Sequence, residues 1–131
     1  MDSSNKQRPF LATIDQSQNG DRIRIEITIG FAGETHTGSA EGVADPQHRV
    51  RLVGEATLRA IEHLAGGLAE FDLSAVATSD LGPVRIALAQ VRESGWSDYL
   101  IGSSLVRDGD SATATAKAVL DAVNRRITIT R

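Results

Sequence analysis

Three histidines, His36, His48 and His63, are the first candidates for chemistry, because imidazole titrates near neutral pH and ligates transition metals. They fall on a predicted strand, a helix start and a helix interior, without the short paired spacing of a zinc motif. His48 and His63 share a similar face of one predicted helix, yet the rise per residue separates them by roughly 22 Å. They cannot share an ion, and exposed or capping roles are expected for all three. No serine sits in a Gly-x-Ser-x-Gly elbow, and Gly102-Ser103-Ser104 lies within a predicted strand with no adjoining base. The stretches Gly30 to Gly33 and Gly38 to Gly42 lack both the Lys-Ser/Thr ending of a P-loop and the context of a dinucleotide fingerprint, so they read as turns and a flexible loop. Asp72, Asp80, Asp98, Asp108 and Asp110 cluster near predicted strand ends, where turn and capping roles are expected. No catalytic residue, metal site or cofactor is assigned.

Composition narrows the function classes further. The 131 residues suit one domain, and 40% apolar with 24% charged residues argues against collagen-like, disordered and membrane classes. The net charge of −3 supplies no positive field for a phosphate backbone, so nucleic acid is not an expected partner. With 0 Cys there is no disulfide framework, thiolate metal site or cysteine nucleophile, and a reducing, cytoplasmic setting is expected. The polar start of the chain resembles neither a signal peptide nor an anchor, and no membrane partner is expected.

Any site must be positioned by the elements that periodicity predicts. Residues 1–21 are rich in Ser, Asn, Gln and Asp around the island Phe10-Leu11-Ala12, and read as a flexible tail. The island is either a docking peptide or an arm packed back on its own domain. Residues 22–131 form the domain. Ile23, Ile25, Ile27 and Ile29 alternate with Arg22, Arg24, Glu26 and Thr28, the period of a half-buried strand, and Thr35 to Ala40 returns beside it despite Gly38. Asp45-Pro46 then caps a helix whose apolar stripe runs from Val50 to Leu68, ending at Gly66-Gly67. Gly54 inside it signals either close packing or a later start.

Beyond the glycines, Phe71, Leu73, Ala75 and Ala77 predict a strand, Val84 to Ala89 a second, and Trp96 to Val106 a third. A second helix follows Asp108-Gly109-Asp110-Ser111, carries Ala112, Ala116, Val119, Leu120 and Val123 on one stripe, and closes at Asn124-Arg125-Arg126. Ile127 to Arg131 alternates like a short terminal strand. The expected class is therefore α+β, with an antiparallel sheet of about five strands, two helices on one face, and the order ββα-βββα. The second half repeats the first with an added strand. Several strands also place Ala, Val or Ile on the uncovered sheet face, and a homodimer would cover it.

The second half carries a family resemblance. Phe71-Asp72-Leu73-Ser74-Ala75-Val76-Ala77-Thr78-Ser79-Asp80 followed by Gly82-Pro83-Val84-Arg85-Ile86 resembles the C-terminal regulatory domain of 2-isopropylmalate synthase. Gly102-Ser103-Ser104-Leu105-Val106, an acidic turn, and a helix from Ala112 to Arg125 resemble that family's last strand and helix. The likeness covers residues 22–126 in element order. Gly54-Glu55-Ala56 stands where the family carries its Gly-x-Gly-Pro loop, and Leu73 replaces the tyrosine of its Asp-Tyr strand motif.

The resemblance implies a non-catalytic module that dimerises and binds a small apolar amino acid or related metabolite between two strand-rich units. It also implies the site residues: Ala56 and Ala77 leaving room for an apolar side chain, and Glu55 or Asp80 pairing with an ammonium group. The alternatives are a protein-protein interaction or assembly domain without a ligand, and a double-stranded RNA binding domain, suggested by the helix-strand-strand-strand-helix order between Pro46 and Arg126. The last lacks a lysine cluster at its second helix, where only Lys117 lies inside.

Overall fold

The computed structural model describes residues 8–129. The chain is built from two βββα units. The first contains β1 (Phe10–Asn19), β2 (Arg22–Phe31), β3 (Glu34–Val43) and α1 (Pro46–Leu64). The second contains β4 (Phe71–Leu81), β5 (Val84–Glu93), β6 (Tyr99–Leu105) and α2 (Ser111–Ile129). The class is α+β, but the strands form two separate three-stranded antiparallel sheets, β1-β2-β3 and β4-β5-β6, in place of one five-stranded sheet. Each helix lies on its own sheet. The helices also touch each other, α1 reaches β4 and α2 reaches β1, so the two units share one core.

The order is βββα-βββα because the predicted tail supplies a strand. β1 pairs with β2 from Phe10↔Gly30 to Asn19↔Arg22, with a bulge between Leu11 and Thr13. That bulge hides the strand from period-2 reading. It lets Leu11 and Ile14, three positions apart, both face inward opposite Ile29 and Ile27. The remaining residues of β1 are exposed, as suits an edge strand. The Phe10 island thus packs back on its own domain: Leu11 joins the core, and the Phe10 ring lies over Gly30. Residues 1–7 of the predicted tail lie outside the described residues.

The bulge recurs between Leu73 and Ala75 of β4, 62 positions along. The turn glycines Gly20 and Gly82, and Gly33 and Gly95, keep the same spacing and all have positive φ, so each hairpin pair uses equivalent left-handed corners. The β4 bulge also corrects its predicted faces. Leu73 and Val76 point inward opposite Val91 and Ala89, which places Ala75 and Ala77 on the outer face.

Two further glycines seat the helices. A side chain at Gly38 would strike the α1 backbone at Ala56 and Ala60, and one at Gly102 would strike the α2 backbone at Ala118 and Ala122. Both helices therefore cross their sheets with backbone nearly touching backbone, and alanines face the seats because nothing larger fits. Gly54 is close-packed in the helix interior: a Cβ there would lie 2.8 Å from Leu73 Cδ2. The helix does start at Pro46, capped by Asp45.

The predicted terminal strand is overturned as far as residue 129, because α2 continues through Ile129; residues 130 and 131 lie outside the described residues. The predicted third meander strand shortens to Tyr99–Leu105. Among the described residues no helix is long and apolar enough to cross a membrane.

Candidate functional site

A cleft of about 380 Å³ opens where the two units meet, lined by Pro46, Gln47 and Val50 of α1, Val76, Ala77 and Thr78 of β4, and Ser111 of α2. Local chemistry explains why two helices begin there. Asp45 has extended backbone, Pro46 occupies the first helical position, and Asp45 Oδ1 accepts from the His48 backbone N–H at 3.0 Å while Oδ2 accepts from His48 Nδ1–H at 2.6 Å. At α2, Asp110 accepts from the Thr113 N–H at 3.0 Å and from its hydroxyl at 2.7 Å. Both carboxyls are held below the usual aspartate range. The cause at Asp45 is chiefly the His48 backbone N–H, and at Asp110 the Thr113 hydroxyl followed by its N–H.

The walls of the cleft combine two chemistries. Val50 and Val76 offer an apolar surface, while Gln47, Thr78 and Ser111 offer hydrogen-bonding groups beside two helix N-termini that Asp45 and Asp110 already cap. A second hollow of about 340 Å³ lies along α2 and the turn before it, where Arg107 and Lys117 stand among Asp108 and Asp110. Its mixed charge and sparse apolar wall leave the first cleft as the better small-molecule site.

Of the four site residues implied by the resemblance, only Ala77 lines this cleft. Ala56 is fully buried against Gly38, where it seats α1 on β3. Glu55 pairs with Arg51 one turn earlier at 3.2 Å, and Arg51 also donates to the Leu73 carbonyl at 2.8 Å. Asp80, near the end of β4, pairs across the hairpin with Arg85 at 3.2 Å. The three do not converge on Ala77. Val50 and Val76 were legible as stripe and strand residues, but their meeting with Ser111 depends on how the units pack.

The contact most clearly missed in the sequence joins His36 of β3 to His63 in the last turn of α1, with Nδ1 atoms 3.2 Å apart. Gly38, two residues beyond His36, brings α1 down onto that strand, which is how residues 27 positions apart become neighbours.

The sequence matches no protein-family model. No curated protein is similar to it either.

Side chains of the helices also close strand edges. Arg59 donates to the Phe71 carbonyl at 3.0 Å and Glu62 accepts from the Phe71 N–H at 2.8 Å, tying α1 to the start of β4. On the far edge of the second sheet, Asp121 accepts from the Ser103 N–H at 3.0 Å and Arg125 donates to the Ile101 carbonyl at 3.1 Å. Such pairings discourage edge-to-edge addition of strands at β4 and β6.

Proposed function

We propose that this chain is a non-enzymatic, homodimeric regulatory module that binds a small amino-acid-like metabolite, as a free-standing relative of the C-terminal regulatory domain of 2-isopropylmalate synthase. The observation that carries this reading is the cleft at the junction of the two units. Its volume lies within the range of small-molecule sites, its apolar wall suits an aliphatic side chain, and Gln47, Thr78 and Ser111 supply hydrogen-bonding groups for a polar end. A ligand there touches α1, β4 and α2 together, so binding couples the two units. That is the physical requirement for a metabolite to alter how the module docks elsewhere.

The outer face of the second sheet supports the dimer. Residues directly opposite one another share a face, so Ile86 lies beside Leu105, Leu88 beside Ala77, and Gln90 between Ala75 and Ile101. Ile101 and Leu105 are 48% and 44% exposed, an apolar stripe a second copy would cover. A cytoplasmic location follows from the same reading. The alternative, an assembly domain without a ligand, would dock a different protein on that face.

The test is a thermal-shift screen of branched-chain amino acids and their 2-oxo acids, with light scattering for mass. A ligand at 100 times its Kd stabilises by about 2.7 kcal/mol, several degrees for a domain of this size. Thr78→Trp, which fills the cleft from a strand position facing the helices opposite Ala87, abolishes that shift and leaves the dimer intact. A dimer stabilised by none of these compounds refutes the metabolite reading, and a monomer refutes the dimer.

A further inference from the structure

His36 and His63 present facing Nδ1 atoms 3.2 Å apart, with ring centroids 5.3 Å apart and the rings inclined at 61°. The contact is an N–H···N hydrogen bond when one ring carries its proton on Nδ1, so that proton is shared between the two nitrogens, and a metal ion can take the same position between two Nδ1 lone pairs. The opposite edge of His36 carries a second, independent observation. Its Nε2 is buried and makes no hydrogen bond, and the Glu34 carboxylate stands beside it with Oε1 3.5 Å away. A carboxylate at that edge favours the tautomer with the proton on Nε2, which leaves Nδ1 as a lone-pair donor toward His63. This order of carboxylate, histidine and open donor is how metal-ligating histidines are oriented by their neighbours.

We propose that His36 and His63 form a site for a divalent transition-metal ion that prefers imidazole, such as Zn2+, Ni2+ or Cu2+, with Glu34 as a positioning residue behind His36. An ion at the usual 2.0–2.1 Å from each nitrogen would see the observed separation under an angle of about 100°, close to tetrahedral. One ligand is held and the other is accessible: the His36 side chain is 13% exposed, whereas His63 lies on the open last turn of α1. Among the described residues no group of three or more His, Cys, Asp or Glu joins them. Water or an exchangeable ligand therefore completes the coordination, and the ion is a dissociable one that braces β3 against the end of α1. Binding displaces the shared proton from between the rings, so the ion and the proton compete for one position.

The experiment uses the untagged full chain, stripped with a chelator and then titrated with Ni2+ or Zn2+ by calorimetry and by thermal unfolding. One ion binds per chain, and the melting temperature rises by several degrees once free ion exceeds its Kd about 100-fold. His36→Gln and His63→Gln each weaken the ion by at least 10-fold, Glu34→Gln weakens it by about 10-fold, and His48→Gln changes nothing. His63 is exposed, so His63→Gln keeps the test decisive even where His36→Gln disturbs folding. Absence of binding heat and thermal shift in the wild-type chain overturns the site. So does an unchanged affinity in His63→Gln, or a melting temperature that falls with added ion.

Discussion

The two βββα units share their bulges, turn glycines and helix seats, yet their outward sheet faces differ in kind. On the first sheet, Thr28 stands between Thr13 and Thr37, Glu26 between Asp15 and Ser39, and Arg24 between Ser17 and Glu41. Thr28 and Thr37 hydroxyls bond at 3.0 Å, and Arg24 pairs with Glu26 at 3.3 Å. The corresponding rows of the second sheet are Ile86 between Ser79 and Leu105, Leu88 between Ala77 and Ser103, and Gln90 between Ala75 and Ile101. Positions that carry charge in one unit carry aliphatic groups in the other. The shared features are those the fold requires in each unit, because seats and corners have no alternative solution. The outer faces are free of that requirement and have diverged: one presents polar and charged side chains, the other aliphatic ones.

The largest expected effect tests the shared part. Gly38→Ala and Gly102→Ala each push a methyl into helix backbone and each cost about 3 kcal/mol in urea unfolding. A large cost at one seat and none at the other would break the equivalence of the units. Next comes the divergent part. Leu88→Asp on the second sheet halves the mass seen by light scattering and weakens association at least 100-fold, whereas Thr28→Asp on the first leaves the mass unchanged. Equal effects would remove the distinction between the faces.

A smaller effect separates the two units' first strands. Phe10→Ala uncovers Gly30 and costs about 1 kcal/mol, since the ring is 60% exposed and only partly packed. The smallest effect concerns the helix starts. Asp45 and Asp110 have lowered folded-state pKa values, so their stabilisation is complete above the ordinary aspartate range and is lost as pH falls through the lowered values. Asp110→Asn therefore flattens the acid limb of a stability-pH profile and lowers the melting temperature by a few degrees at most. Asp45→Asn moves the profile in the same direction. An acid limb unchanged in both variants would show that the caps carry no pH dependence.

How far the sequence reached depends on whether the local pattern carried the packing. Ile23 to Ile29 announced β2 because every second side chain is buried. Asp45-Pro46 announced α1 because cap and first-turn chemistry are local. The strand β1 was illegible because the bulge after Leu11 shifts its inward residues out of period and the rest of the strand is a polar edge. Ala56 suggested a roomy pocket only while its facing residue was unknown; Gly38 shows that the small residue admits a helix. Ala77 was placed in the cleft, whereas Glu55 and Asp80 turned to Arg51 and Arg85, partners within a few positions on the same helix or hairpin.

By itself, the sequence determined the α+β class, the two helices and the Ile-rich strand, because each rests on local periodicity and capping, and the doubling of a strand-rich unit, because a similar order of elements recurs. The tertiary structure decided that the strands divide into two sheets, that Val50, Val76 and Ser111 share one cleft, and that His36 meets His63. Those facts depend on where one helix comes to rest on two sheets. That placement is fixed by a glycine's missing side chain and the fit of whole surfaces, which no local period encodes.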